Sequence, residues 1–238
     1  MINFSTISEA IKLVQKASFL EISTPKPGNI DSNRKEDMHF FVDFTKGLDA
    51  IIDAFSHYFL QNKIASSIGT LIKSAAYKMI DAQKHGNVLL GHILLYAPLL
   101  CAVNEKLQKG SSINISWDEF WAEVEFIIQN ANEEDAALLA EAILYARPGG
   151  LKNPGGVPFT TKYDFTDPNS PKNIRDDKVA LKNLFQESAH FDLISREYIQ
   201  TYSFSRKIIE TWLIPNLKCY STDRKSTRLN SSHGKLPR

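Results

Sequence analysis

The residues able to do chemistry gather in polar breaks between apolar stretches. The densest break is Ser23 to Met38, STPKPGNIDSNRKEDM. There Lys26, Asn29, Asp31, Arg34, Lys35, Glu36 and Asp37 follow shortly after Glu21. Pro25 and Pro27 fix φ and push the residues before them out of the α region. Gly28 and Asn29 add tight-turn chemistry. A stiff polar loop on a helical scaffold suits a binding site, and a plain surface connector has the same composition. A second break, Lys84-His85-Gly86-Asn87, closes one helix and opens the next, where free backbone N–H groups can hold an anion. A third is Arg147-Pro148-Gly149-Gly150, followed by Asn153, Lys162 and Asp164. A fourth is His190-Phe191-Asp192 with Arg196. Asp192 and Arg196 also have the i, i+4 spacing of a surface ion pair. Cations, Gly-rich turns and several carboxylates together suit a polyphosphate with Mg²⁺, which binds through one or two carboxylates plus phosphate oxygens.

Other chemistries find little support. The sequence has no P-loop, no G-x-G-x-x-G after a strand, no H-E-x-x-H and no G-x-S-x-G. The six histidines do not pair at ligand spacing. His85, His92 and His190 are acid–base candidates by residue type alone, and each type is more often structural. A formal charge of +1 gives no electrostatic reason to expect nucleic acid or an anionic membrane as partner. Cys101 and Cys219 are too far apart in sequence to read as a disulfide framework or a metal pair, and Cys101 reads as a buried apolar side chain. The start MINFSTISEAIK lacks a basic stretch followed by an apolar one, so a reducing, cytoplasmic location is the default expectation. The apolar run Val88 to Val103 falls short of the roughly 20 residues of a membrane span and contains His92 and Pro98, so it reads as a buried core helix.

The elements that must position these loops are helical. Thr6 to Glu9 is a T-x-x-E capping box, opening a helix with Ile7, Ala10, Ile11, Val14, Ala17 and Ser18 on one face. It should run to about Ile22. Phe40, Phe41, Phe44, Leu48, Ile51, Ile52 and Phe55 mark a second amphipathic helix. Ile64, Ile68, Leu71, Ile72, Ala75, Ala76, Met79 and Ile80 mark a third, expected to end near His85 with Gly86 as its C-cap. Residues 88–107 are apolar nearly all round and read as the central helix, kinked at Pro98. Ser116 to Glu119 is a second capping box, with Phe120, Val124, Ile127 and Ile128 facing inward. Asp135 is expected to begin a short helix ending at Tyr145. Residues 147–174 read as one long loop, with helix from about Asp176 to Thr201 and again from Phe204 to Leu213. No strand pattern stands out. The expected fold is all-α, a single globular domain over residues 1–220, with the central apolar helix surrounded by amphipathic ones. Residues 223–233, DRKSTRLNSSH, read as the translation of a widely used sequencing adapter. The segment 221–238 is therefore expected to be a non-native tail, with the natural chain continuing past Thr222.

The ordered set of motifs resembles the triphosphoribosyl-dephospho-CoA synthase family (ATP:dephospho-CoA triphosphoribosyl transferases), and within it the archaeal-like branch. The matching pieces are Leu20-Glu21 before Pro25-Lys26-Pro27-Gly28-Asn29, Asp37-Met38 with Phe41, Gly69, Gly86-Asn87, Gly91 and Leu94 to Leu99. Further on come Asp135-Ala136, Ala146 to Leu151 and Asp192 to Tyr198. Lys35 stands where members usually carry the histidine of His-x-Asp-Met, and Val88 and Leu89 are apolar where the family motif is polar.

The resemblance implies an all-helical pentosyltransferase. Its reaction moves the triphosphoribosyl group of ATP to the 2′-hydroxyl of 3′-dephospho-CoA and releases adenine. It implies ATP as substrate with Mg²⁺, small-molecule nucleotide partners without nucleic acid or membrane, and a homodimer as one assembly. Under it, Asp37 or Glu21 faces the ribose, and Lys26 and Lys35 neutralise phosphate. Asn29 and Asn87 hydrogen-bond the substrate. Asp135 and Asp192 are Mg²⁺ ligands, and Arg196 is a phosphate contact. Two alternatives stay open at this point: a related nucleotide-dependent enzyme of pterin-type cofactor synthesis, and a non-catalytic nucleotide-binding helical protein.

Overall fold

The capping boxes and apolar stripes produce the helices they predict. A computed structural model describes residues 2–25, 38–61, 67–110, 113–148 and 163–213. Thr6 caps α1 (Ile7–Ser23), its Oγ1 accepting the Glu9 N–H while Glu9 returns a bond to the Thr6 N–H. Ser116 and Glu119 do the same for α5 (Trp117–Asn130). α2 spans Met38–Gln61 and buries Phe44, Leu48, Ile51 and Phe55, four positions of the expected stripe. α3 (Ile68–Ala82) buries Leu71, Ile72, Ala75, Ala76 and Met79 completely. It packs between α2 and α6 (Glu133–Ala146). No residue from 90 to 107 is fully exposed, and the helix they occupy, α4 (Leu90–Gln108), touches α1, α3 and α5. The fold is all-α, with α4 central as expected. Cys101 is buried in it, and burial pushes its thiol pKa up. No helix among the described residues is long and apolar enough to cross a membrane.

Pro98 stays inside α4. Proline has no N–H, so the carbonyl four residues earlier, on Leu94, loses its helical donor. The Tyr198 hydroxyl replaces it, donating to Leu94 O at 2.7 Å, and Tyr202 donates to the next carbonyl, Leu95 O, at 2.6 Å. Both rings are buried. Tyr198 lies in α9 (Leu193–Ile199) and Tyr202 is the N-cap of α10 (Ser203–Ile208), so both helices are fastened to the break in the central helix.

Four expectations need correction. A short antiparallel ribbon exists: β1 (Ile2–Phe4) pairs with β2 (Ile113–Ile115), Ile2 opposite Ile115. α3 ends at Ala82 with Gln83 as C-cap, so Gly86, at φ +99, shapes the following turn and caps nothing. α6 starts two residues earlier than expected, because Asn132 is the N-cap and Asp135 is the third helical residue. The loop expected to run to residue 174 gives way to α7 (Ser170–Asp176), and the one helix expected from Asp176 to Thr201 is two, α8 (Leu181–Ser188) and α9. The first break follows Lys178 at φ 55. The second lies at the corner 189–192. α10 then continues as a π-helical turn, Ile209–Leu213.

Candidate functional site

Of the nine residues given a role under the resemblance, five lie within the described part of the chain. Asp37, Lys26, Asn29 and Lys35 lie outside it. Glu21 is in the last turn of α1, its Oε2 4.0 Å from Nε2 of His92 in the first turn of α4. Asn87 precedes that turn, and its Oδ1 accepts the N–H groups of Leu89 at 3.1 Å and Leu90 at 2.9 Å. Glu21 and Asn87 are thus each placed by the first turn of α4.

Asp135, Asp192 and Arg196 have other work. Asp135 is buried, and both its oxygens are in use. Oδ1 accepts from Ser67 Oγ at 2.7 Å and Gly69 N at 2.9 Å, while Oδ2 accepts from Asn132 N at 3.0 Å. It is a capping-box acid that also ties α6 to the start of α3. Asp192 caps α9, accepting from Ser195 N at 2.7 Å. Arg196 turns away from Asp192 and donates to the carbonyls of Ala189 at 3.1 Å and His190 at 3.2 Å, at the C-terminal end of α8.

Sequence reading missed Asp43. Its side chain is 2% exposed, and Oδ2 accepts three bonds from the α3–α4 turn: Lys84 N at 3.0 Å, His85 N at 2.6 Å and His85 Nδ1 at 2.9 Å. Burial pushes the Asp43 carboxyl up, but these bonds and the His85 ring outweigh burial and hold it below the usual carboxylate range. The signal was present: a lone carboxylate beside Phe44 on an otherwise apolar stripe of α2. His39, on the first turn of α2, meets His85 edge-on at 4.9 Å between ring centroids. His92 meets Phe44 in the same manner at 5.7 Å. The start of α2, the α3–α4 turn and the start of α4 form one polar and aromatic cluster.

That turn also borders a cavity of about 1080 Å³. Gly86 lines it together with Tyr77, Glu141, Arg147, Lys172 and Arg175. Arg147 ends α6 in the left-handed region at φ 44, and its side chain makes no hydrogen bond or ion pair among the described residues. Arg175 donates to Glu134 Oε2 at 2.6 Å and to Glu141 Oε1 at 2.9 Å. Burial raises the Glu141 carboxyl, while the bonds from Lys73 and Arg175 bring it below its usual range. Tyr77 and Tyr145 stack at 4.0 Å on one wall. Arg147, the exposed Lys172 and the ion-paired Arg175 around a space of this size suit a polyanionic ligand.

A family model for ATP:dephospho-CoA triphosphoribosyl transferase matches residues 7–229. No curated protein and no solved structure matches the chain. The family match runs through every helix above, from the first residue of α1 to the π-helical turn after α10. The chain thus belongs to the ATP:dephospho-CoA triphosphoribosyl transferases, pentosyltransferases that move the triphosphoribosyl group of ATP to dephospho-CoA.

Proposed function

We propose that ATP occupies the cavity at the C-terminal end of α6 and that its ribose reacts beside the α3–α4 turn. One observation carries this placement. A single turn both lines the cavity, through Gly86, and fastens to α2 at Asp43, through Lys84 and His85. α2 is entered directly from the segment that holds Lys26, Asn29, Lys35 and Asp37.

In this reading Arg147 contacts the phosphates, since it is the cavity arginine with no ion-pair partner among the described residues. Lys26 and Lys35 add positive charge from the segment between α1 and α2. Asn29 hydrogen-bonds the substrate, and Asn87 does so through its amide NH₂, its oxygen being spent on α4. Breaking the bond between ribose and adenine develops oxocarbenium character at C1′. Glu21 or Asp37 supplies the carboxylate that stabilises it. Mg²⁺ enters as part of the ATP complex, held by phosphate oxygens. Asp135, Asp192 and Arg196 keep their hydrogen-bonding tasks in this scheme.

The test is adenine release from ATP and dephospho-CoA, followed by chromatography. Arg147→Ala is expected to raise KM for ATP about tenfold or more, the worth of one charge-assisted hydrogen bond. Glu21→Gln or Asp37→Asn is expected to lower kcat. An unchanged KM in Arg147→Ala would move the nucleotide out of this cavity.

A further inference from the structure

We propose that His85 carries the proton in the transfer reaction and that Asp43 is the residue that positions it. The inference rests on the placement of the ribose at the α3–α4 turn. Asp43 Oδ2 lies 2.9 Å from Nδ1 of His85. A carboxylate only accepts, so Nδ1 bears the hydrogen and the neutral ring presents Nε2 as a lone pair. The two N–H groups of Lys84 and His85 clamp the same oxygen, so the carboxylate cannot swing away. The Asp43 side chain is 2% exposed while that of His85 is 48% exposed. A buried acid thus holds a half-exposed imidazole by Nδ1 and leaves Nε2 with no hydrogen-bond partner among the described residues, the arrangement a general base requires. The titratable neighbours that α2 turns toward the ring are Asp43 and His39, the latter edge-on at 4.9 Å.

The proton balance is simple. The acceptor hydroxyl gives its proton to Nε2 of His85 as its oxygen bonds to C1′ of the ribose. The bond from C1′ to the adenine nitrogen breaks, and its electron pair leaves with adenine, which takes a proton from solvent. His85 then returns its proton to solvent.

His85→Ala is the decisive variant, because the backbone N–H groups of Lys84 and His85 still hold Asp43 and the turn. Its kcat for adenine release should fall by about 10²–10⁴, with the calorimetric Kd for ATP within about threefold of wild type. Added imidazole should restore part of the lost rate. Asp43→Asn should lower kcat with little change in ATP affinity. A normal kcat in His85→Ala overturns the inference, and so does a lost kcat that imidazole does not restore. If His85→Ala turns over normally while Arg147→Ala still raises KM, the proton role fails and the cavity placement stands. If neither variant differs from wild type, both fail.

Discussion

A methyl group at position 69 would stand 2.5 Å from the Cα of Asp135. Here α3 and α6 meet backbone to backbone, and the Asp135 carboxylate takes the Gly69 N–H. Neither backbone can give way without breaking that bond. Gly69→Ala is expected to lower stability by about 1–3 kcal/mol, the usual cost of overpacking. Urea unfolding followed by circular dichroism would show it as a lower midpoint at unchanged slope.

Asp135→Ala tests the acid from the other side. It leaves the buried Gly69 N–H and the Ser67 hydroxyl without their acceptor, a loss of about 1–3 kcal/mol. If Asp135 serves the fold, adenine release per folded molecule should keep its dependence on Mg²⁺ concentration. A shift of that dependence at unchanged stability would make it a metal ligand after all.

The Tyr198 hydroxyl exists in this fold to serve a carbonyl that Pro98 orphaned. Tyr198→Phe should therefore cost about 1–3 kcal/mol. Pro98→Ala returns an N–H to Leu94 O, so the same tyrosine change should cost less in that background. A double-mutant cycle on unfolding free energies measures the difference. Strict additivity would show that the two residues do not share the carbonyl.

Glu123 gives a pH prediction. Its carboxylate is 7% exposed and lies 2.7 Å from Lys106 Nζ and 3.1 Å from Lys109 Nζ. Burial pushes the carboxyl up, while the lysine bonds and charges more than reverse this, so its folded value lies below the usual one. The unfolded chain then takes the proton first as pH falls. The stabilisation is complete above the unfolded value of about 4.3 and is lost as pH drops through the folded one. Unfolding free energies between neutral and acidic pH should fall less steeply in Glu123→Gln than in wild type, by roughly 1 kcal/mol over the range.

The helical plan was legible because capping residues and apolar stripes are local signals. Thr6 with Glu9 and Ser116 with Glu119 announce their helices within four residues. The breaks after α7 and between α9 and α10 were not legible, since Lys178 at φ 55 and Tyr202 at φ 59 take left-handed conformations that a glycine would have advertised. The ribbon was hidden by its length: three residues per strand carry no readable alternation. At the site, the polar break Lys84 to Asn87 stands out, and Asp43 stands out as a carboxylate on an apolar stripe, but the bond that joins them is a tertiary fact that local spacing does not carry. Asp135 is ambiguous in sequence for a related reason: a capping acid and a metal-binding acid are the same residue type, and its bonds to Gly69 and Ser67 exist only in the fold.

The turn from Lys84 to Leu89 has two loyalties, one to the cavity wall and one to α2. With the nucleotide and ribose placed as proposed, natural variation there cannot adjust nucleotide affinity and turnover one at a time. Lineages that alter this turn should carry compensating changes near Asp43 or Arg147, and chimaeras that transplant the turn alone should work poorly in either background.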